Sequence, residues 1–224
     1  MARTADVVII GGGIHGCSTA LHLALRGLKP ILIEKDYAGR HASGVNAGGV
    51  RQLARDLQEI PLSISSMDIW ERIEELVGDD CGFEAHGTVL VAESEAELAG
   101  FRERVDDLRL RGFEHEELID AAELRRLVPA VSEHCPGGVV SRRDGAADPF
   151  RTTQAFRRRA VERGAEVIEG VSVTGLSRSG ANWRVETSAG VFEAPKIVNA
   201  AGAWADRIAA MLGEPVPLAV VAPM

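Results

Sequence analysis

The apolar positions near the start of the chain alternate between two periods. Residues 6–10, Asp6-Val-Val-Ile-Ile, run straight into three glycines, the pattern of a strand buried on both faces of a parallel sheet. From Ile14 to Arg26 the apolar residues Cys17, Ala20, Leu21, Ala24 and Leu25 recur at helical spacing, and Gly27 stands where a helix stops. "KPILIEK" then predicts a second buried strand with Glu34 at its carboxyl end. Strand, glycine turn, helix, strand is a βαβ unit, whose strands lie parallel.

The stretch "YAGRHASGVNAGGVR" (37–51) has no period and is rich in Gly and Ser, so it predicts a long functional loop. Helical spacing returns from Pro61 to Leu76. Residues 83–148 differ in character: a short strand "GTVLVA", an acid-rich helix from Ser94 to about Arg111, then turns around Pro129, Pro136 and Gly137-Gly138. This region reads as an inserted second domain. Helix "RTTQAFRRRAVERG" and strand "AEVIEGVSVTGLS" resume the βα rhythm, and "WRVETSAGVFEA" reads as two short strands about a Ser-Ala-Gly turn. The first sheet re-forms at "KIVNAAGAW", with strands at about 6–10, 30–34 and 196–200 side by side. The sequence ends in "PVPLAVVAPM", the pattern of a strand just beginning.

Composition narrows the partners. A formal charge of -8 disfavours nucleic acid, which needs a clustered cationic face. No apolar run is long enough to span a membrane. Cys17, Cys81 and Cys135 are far apart, and the six histidines lack metal-ligand spacing, so neither a disulfide framework nor a metal site is expected. A first strand without a cleavable leader before it, together with free cysteines, leads to the expectation of a cytoplasmic protein.

Gly11, Gly13 and Gly16 form a GxGxxG match between the predicted strand and helix. The first permits the tight turn, the second lets a pyrophosphate approach the backbone, and the third lets helix and strand pack closely. The N–H groups and dipole of the helix that opens at Ile14 face the phosphates. Glu34 stands where an acid accepts the ribose hydroxyls and would repel a 2′-phosphate. The motif therefore fits NAD or FAD better than NADP.

Taken in order, "DVVIIGGGIHGCSTALHLALRG", "ILIEK", "ASGVNAGGVR", "DGAADPFR" and "VNAAGAW" resemble the FAD-dependent amine and amino-acid oxidoreductases, among them D-amino-acid oxidase, glycine oxidase and the sarcosine oxidase β subunit. The chain is similar to the N-terminal portion of that family's pattern. The resemblance implies an α/β fold, a Rossmann-type FAD-binding domain with part of an antiparallel α+β substrate domain. Its segments would be 1–82 and 149–212 for FAD, 83–148 for substrate, and 213–224 for the start of a second substrate segment. By position, Gly11, Gly13, Ile14, Gly16 and Glu34 would hold the ADP half, with Lys35 beside the ribose. Val173 would touch adenine through its backbone. Arg40, Ser43, Asn46, Gly48 and Gly49 would approach the ribityl chain and flavin, and Ala201 and Gly202 would let the cofactor pass. Some relatives attach flavin through a histidine near the place of Asn46. An amide is no comparable nucleophile, so the resemblance implies non-covalent FAD.

Such enzymes oxidise the C–H bond beside an amine nitrogen, as in sarcosine, glycine or a D-amino acid, and pass electrons to O2 or another redox partner. Arg51 is the cation expected to meet a substrate carboxylate or flavin charge, and no catalytic base is visible. Trp204 reads as core packing. Two alternatives remain open: an NAD-dependent dehydrogenase, and a non-catalytic FAD-binding fragment or one chain of a hetero-oligomer.

Overall fold

The computed structural model describes residues 2–217. It is a mixed α/β fold that divides into two compact units. The first comprises Met1–Ala47, Glu74–Cys81 and Asp148–Met224, and the second Gly48–Ile73 and Gly82–Ala147. These borders differ from the expected segments, because Gly48–Ile73 belongs with the second unit. There the strand Gly49–Val50 pairs antiparallel with Gly145–Ala146, which makes the end of the 37–51 stretch part of the second unit.

In the first unit, Lys196–Asn199, Val7–Ile10, Pro30–Ile33 and Glu166–Ile168 form a parallel sheet in that order. Val7–Ile10 and Pro30–Ile33 are buried along their whole length, as their uninterrupted apolar sequences require. The helix Ile14–Leu25 between them packs against the helix Pro149–Glu162. Asp148 caps that second helix by accepting the Arg151 N–H at 2.8 Å, and Pro149 occupies its first turn.

The single strand expected over "AEVIEGVSVTGLS" is two strands. Gly170, at φ +72°, turns the chain between Glu166–Ile168 and Val173–Ser179. Val173–Ser179 then joins a second sheet with Asn182–Thr187, Gly190–Ala194 and Arg3–Thr4. Val8, Ile10, Ile31 and Ile33 of the first sheet share one buried cluster with Leu176, Val185 and Phe192 of the second. Apolar burial of this kind contributes roughly 25 cal/mol per Å².

The second unit is built on an antiparallel sheet ordered Thr88–Ala92, Gly137–Ser141, Glu117–Asp120. The Gly137-Gly138 pair, expected in a turn, instead opens the central strand. A Cβ on either glycine would collide with a carbonyl of a flanking strand, Ile119 or Leu90, so close backbone approach explains both residues. The acid-rich helix is Glu95–Leu110, and Ser94 caps it through the Glu97 N–H.

The helix expected over Pro61–Leu76 is interrupted. It runs Ile60–Trp70 and resumes as Ile73–Val77, with Arg72 N–H tightening onto the Ile69 carbonyl at 3.0 Å. Residues 213–217 form no strand, and the rest of the expected final segment, 218–224, lies outside the described residues. Among the described residues, no helix is long and apolar enough to cross a membrane.

Candidate cofactor site

Where Val7–Ile10 ends, Gly11 takes φ +112° and its N–H is received by the Ile33 carbonyl at 2.9 Å. A side chain there would be strained, and it would also run into the Ala200 carbonyl from the neighbouring strand. Gly16, one helical turn on, lies so close to the Gly11 carbonyl that a Cβ would clash. Gly13 is the N-cap and offers no side chain, while Ile14 N–H donates to Ser43 Oγ at 3.0 Å. The opening N–H groups of a helix lack intrahelical acceptors and concentrate positive potential.

Glu34 is buried at 7% exposure. Its Oε2 accepts the Gly12 N–H at 2.6 Å and its Oε1 accepts the Asp36 N–H at 2.9 Å. Two donors leave lone pairs on a carboxylate that can accept about four, and Glu34 lines a cavity of ≈ 590 Å³. Among the described residues lining that cavity, Glu34 is the only carboxylate, whereas Lys35, Arg40 and Arg207 are cations. That charge pattern suits a ligand that carries phosphates at one place and ribose hydroxyls at another.

The cavity brings together Gly11, Gly13, Glu34, Lys35, Arg40, Ser43, Val173, Ala201 and Gly202. Ile14 and Gly16 shape it from behind through the contacts above. Asn46 belongs to the same unit but not to the lining, and its Nδ2 donates to the Ala42 carbonyl at 2.9 Å. Gly48, Gly49 and Arg51 lie in the second unit. The 37–51 stretch is more ordered than a loop: Ala42–Val45 forms a helical turn. Gly44 packs against the Gly39 carbonyl and the Phe150 ring with no room for a Cβ, and this close contact places Ser43 at the Ile14 N–H.

Trp204, expected in a core, lines the cavity instead. Gly202, at φ +54°, and the 3-10 turn Gly202–Trp204 carry it there, where the Lys35 ammonium lies 3.5 Å from its ring centroid and the His41 ring 4.6 Å. His41 Nε2 is 2.8 Å from Asp36 Oδ2, and this hydrogen bond, foremost among the causes, holds the Asp36 carboxyl below its usual range. The position of "GAW" just after a strand end was the available sequence signal, but it says nothing of where the indole points.

Glu34, Asp36 and His41 bring ligand atoms within 4.8 Å of one another. Hydrogen bonds already engage all three, and Lys35 stands 3.7 Å from Asp36. Burial pushes the Cys17 thiol up to about 12, so Cys17 is a core thiol rather than a nucleophile.

In the second unit a smaller cavity of ≈ 280 Å³ is lined by Arg51, Arg55, Ser66, Met67 and Trp70 among others. Arg51 is exposed. Arg55 lies 3.7 Å from Glu59, its i+4 neighbour.

These features define a dinucleotide-binding fold of Rossmann type, and comparison with known proteins narrows the class to flavin-dependent enzymes. The family described as FAD dependent oxidoreductase matches residues 6–223, and the chain belongs to that family. It is 31% identical over 227 residues to mitochondrial sarcosine dehydrogenase of Mus musculus, covering 97% of this chain and 25% of that protein. It is 35% identical over 233 residues to one subunit of the anaerobic glycerol-3-phosphate dehydrogenase of Escherichia coli (strain K12), covering 93% of this chain and 39% of that one. Glycine oxidase from Geobacillus kaustophilus superposes with a TM-score of 0.86 at 26% identity, over 95% of this chain and 59% of that structure. The chain thus spans between a quarter and two fifths of the length of these two curated relatives.

Proposed function

We propose that the chain is the FAD-binding part, with a portion of the substrate domain, of an enzyme that oxidises the CH–NH bond of an amine or amino acid such as sarcosine, glycine or a D-amino acid. The observation that carries this reading is the buried Glu34 carboxylate, tied to Gly12 N–H and still facing the ≈ 590 Å³ cavity. Gly11 and Gly13 keep the wall bare of side chains where a pyrophosphate would lie. Glu34 would accept the ribose hydroxyls with Lys35 beside them, Arg40 would approach the ribityl chain and flavin, and the backbone at Val173 would meet the adenine. Bound FAD would supply the two-electron acceptor for hydride from the substrate carbon.

Asn46 carries no nucleophile for a covalent flavin link, which supports non-covalent FAD. Arg51 is assigned to the substrate's anionic group, which it would hold by a charge-assisted contact. Electrons would leave to O2 or to another redox partner, in a hetero-oligomer if a different polypeptide takes them up.

One observation favours a second substrate class. Arg55 joins Arg51 at the smaller cavity, with Glu59 3.7 Å from Arg55 in the same lining, and two guanidinium groups against one carboxylate suit a phosphate ester as well as a carboxylate. A single experiment tests both classes. The full-length protein, purified with its flavin, is mixed anaerobically with sarcosine, glycine, D-alanine or glycerol 3-phosphate, and bleaching of the flavin absorbance is recorded. Bleaching by an amine supports the first reading, and bleaching by glycerol 3-phosphate alone replaces it with the second. A protein that purifies colourless and binds no added FAD overturns both. Denaturation should release the flavin into solution.

A further inference from the structure

The "DGAADPFR" stretch contains a device that the cofactor site does not use. Asp144 is 0% exposed. Its Oδ1 accepts the Gln52 N–H and the Ser141 hydroxyl, each at 2.8 Å, and its Oδ2 accepts the Leu53 N–H at 3.0 Å. Glu116, whose side chain is also fully buried, accepts the Ala54 N–H on Oε1 at 2.8 Å. Both Glu116 oxygens receive Arg104 at 2.8 Å, and Arg104 donates in turn to the Arg55 carbonyl at 2.9 Å.

Three consecutive N–H groups and the next carbonyl therefore end on side chains 49 to 92 residues away in sequence. On the other side of Arg51, Val50 is paired with Gly145. Arg51 is thus the exposed residue between a strand pair and a turn clamped by two buried carboxylates. Ala54 is held at φ +56°, a conformation costly for a residue with a Cβ. Among the described residues, the hydrogen-bond donors to the Asp144 carboxylate are two backbone N–H groups and a hydroxyl and include no cation, and a buried carboxylate persists only where donors satisfy it. Such an arrangement fixes backbone position more firmly than an ordinary turn.

We propose, on the role given to Arg51 above, that Asp144 and Glu116 are positioning residues that hold residues 51–55 so that the Arg51 guanidinium meets the anionic group of the substrate. They act through the backbone and touch no substrate themselves.

The test is a set of double-mutant cycles in the full-length flavoprotein. Affinity for sarcosine, glycine and glycerol 3-phosphate is titrated by the change in flavin absorbance, with flavin content measured alongside. D144N, E116Q and the milder S141A should each weaken the ligand that R51A weakens, by about tenfold for D144N and less for S141A, while flavin content stays at the wild-type level. The R51A/D144N and R51A/S141A proteins should bind no more weakly than R51A, because the clamp has nothing left to position. A purely structural role would instead give penalties that add to that of R51A, and additive penalties, or unchanged affinity in D144N and S141A, overturn the proposal. If D144N does not fold, the S141A pair decides the question by the same criterion. If R51A alone leaves all three affinities unchanged, the assignment of Arg51 fails, and the positioning role falls with it.

Discussion

The Lys35 ammonium sits 3.5 Å from the centre of the Trp204 ring, although the two residues come from opposite ends of the chain. Both line the ≈ 590 Å³ cavity, so the indole is a wall held in place by a cation. That contact is internal to the protein; what a bound cofactor gains from the wall is aromatic packing, about 1 kcal/mol, or roughly fivefold in Kd. Trp204→Ala should therefore weaken FAD binding by about that factor, with Trp204→Phe intermediate, in a fluorescence titration of the apoprotein. Equal affinities for the three proteins would remove Trp204 from the site.

Glu34→Ala should cost at least about tenfold in FAD affinity, because a hydrogen bond to a carboxylate contributes roughly 1.5–3 kcal/mol. Glu34→Asp should cost less. The alanine also strips Gly12 and Asp36 of the acceptor for their N–H groups, so its thermal midpoint without cofactor should fall as well. A Glu34→Ala protein that binds FAD as tightly as the parent would show that the ribose is held elsewhere.

Asp148 accepts the Arg151 N–H at the start of the helix Pro149–Glu162. Asp148→Ala should lower stability by about 1 kcal/mol, and Asp148→Asn should leave it nearly unchanged. Urea unfolding followed by circular dichroism measures both, and an alanine variant as stable as the parent would contradict a capping role.

Burial pushes the His115 imidazole below its ordinary value of 6.5, against the opposing pull of Glu116. The folded chain keeps the ring neutral where the unfolded chain begins to protonate it. The contribution to stability is complete above pH 6.5 and is lost as the pH falls from there toward the depressed folded value. His115→Asn should flatten this part of the pH dependence, read as the change in urea midpoint between about pH 7.5 and about pH 5.5. A slope identical to that of the parent would assign the loss to other groups.

The parallel sheet was legible because its strands announce themselves locally: Val7–Ile10 and Pro30–Ile33 are unbroken β-branched or aliphatic runs, and the glycine turn and Glu34 stand at fixed offsets from them. Lys196–Asn199 could be added because "KIVN" runs on into the small residues "AAGA", which tolerate a close neighbour. What stayed hidden depends on distant partners. The helical turn Ala42–Val45 exists because Gly44 fits beneath Phe150, and Gly137-Gly138 is a strand because two flanking strands crowd it. No local period encodes either fact. The same holds for Asp144 and Glu116, whose acceptors serve backbone more than 60 residues away, and for Trp204, whose surroundings are set by Lys35 and His41.

The order of the strands in the parallel sheet bears on how the protein is made. Val7–Ile10 lies between Pro30–Ile33 and Lys196–Asn199, so its second neighbour leaves the ribosome long after the first. At roughly 5–20 residues per second, the wait is on the order of ten seconds or more. Throughout it the nascent chain carries one of its most apolar strands with an open edge, a template for wrong pairing. Non-local closure of this kind also slows folding once synthesis is complete. Yield in a cell should therefore respond to chaperone supply and growth temperature more than to any single surface residue.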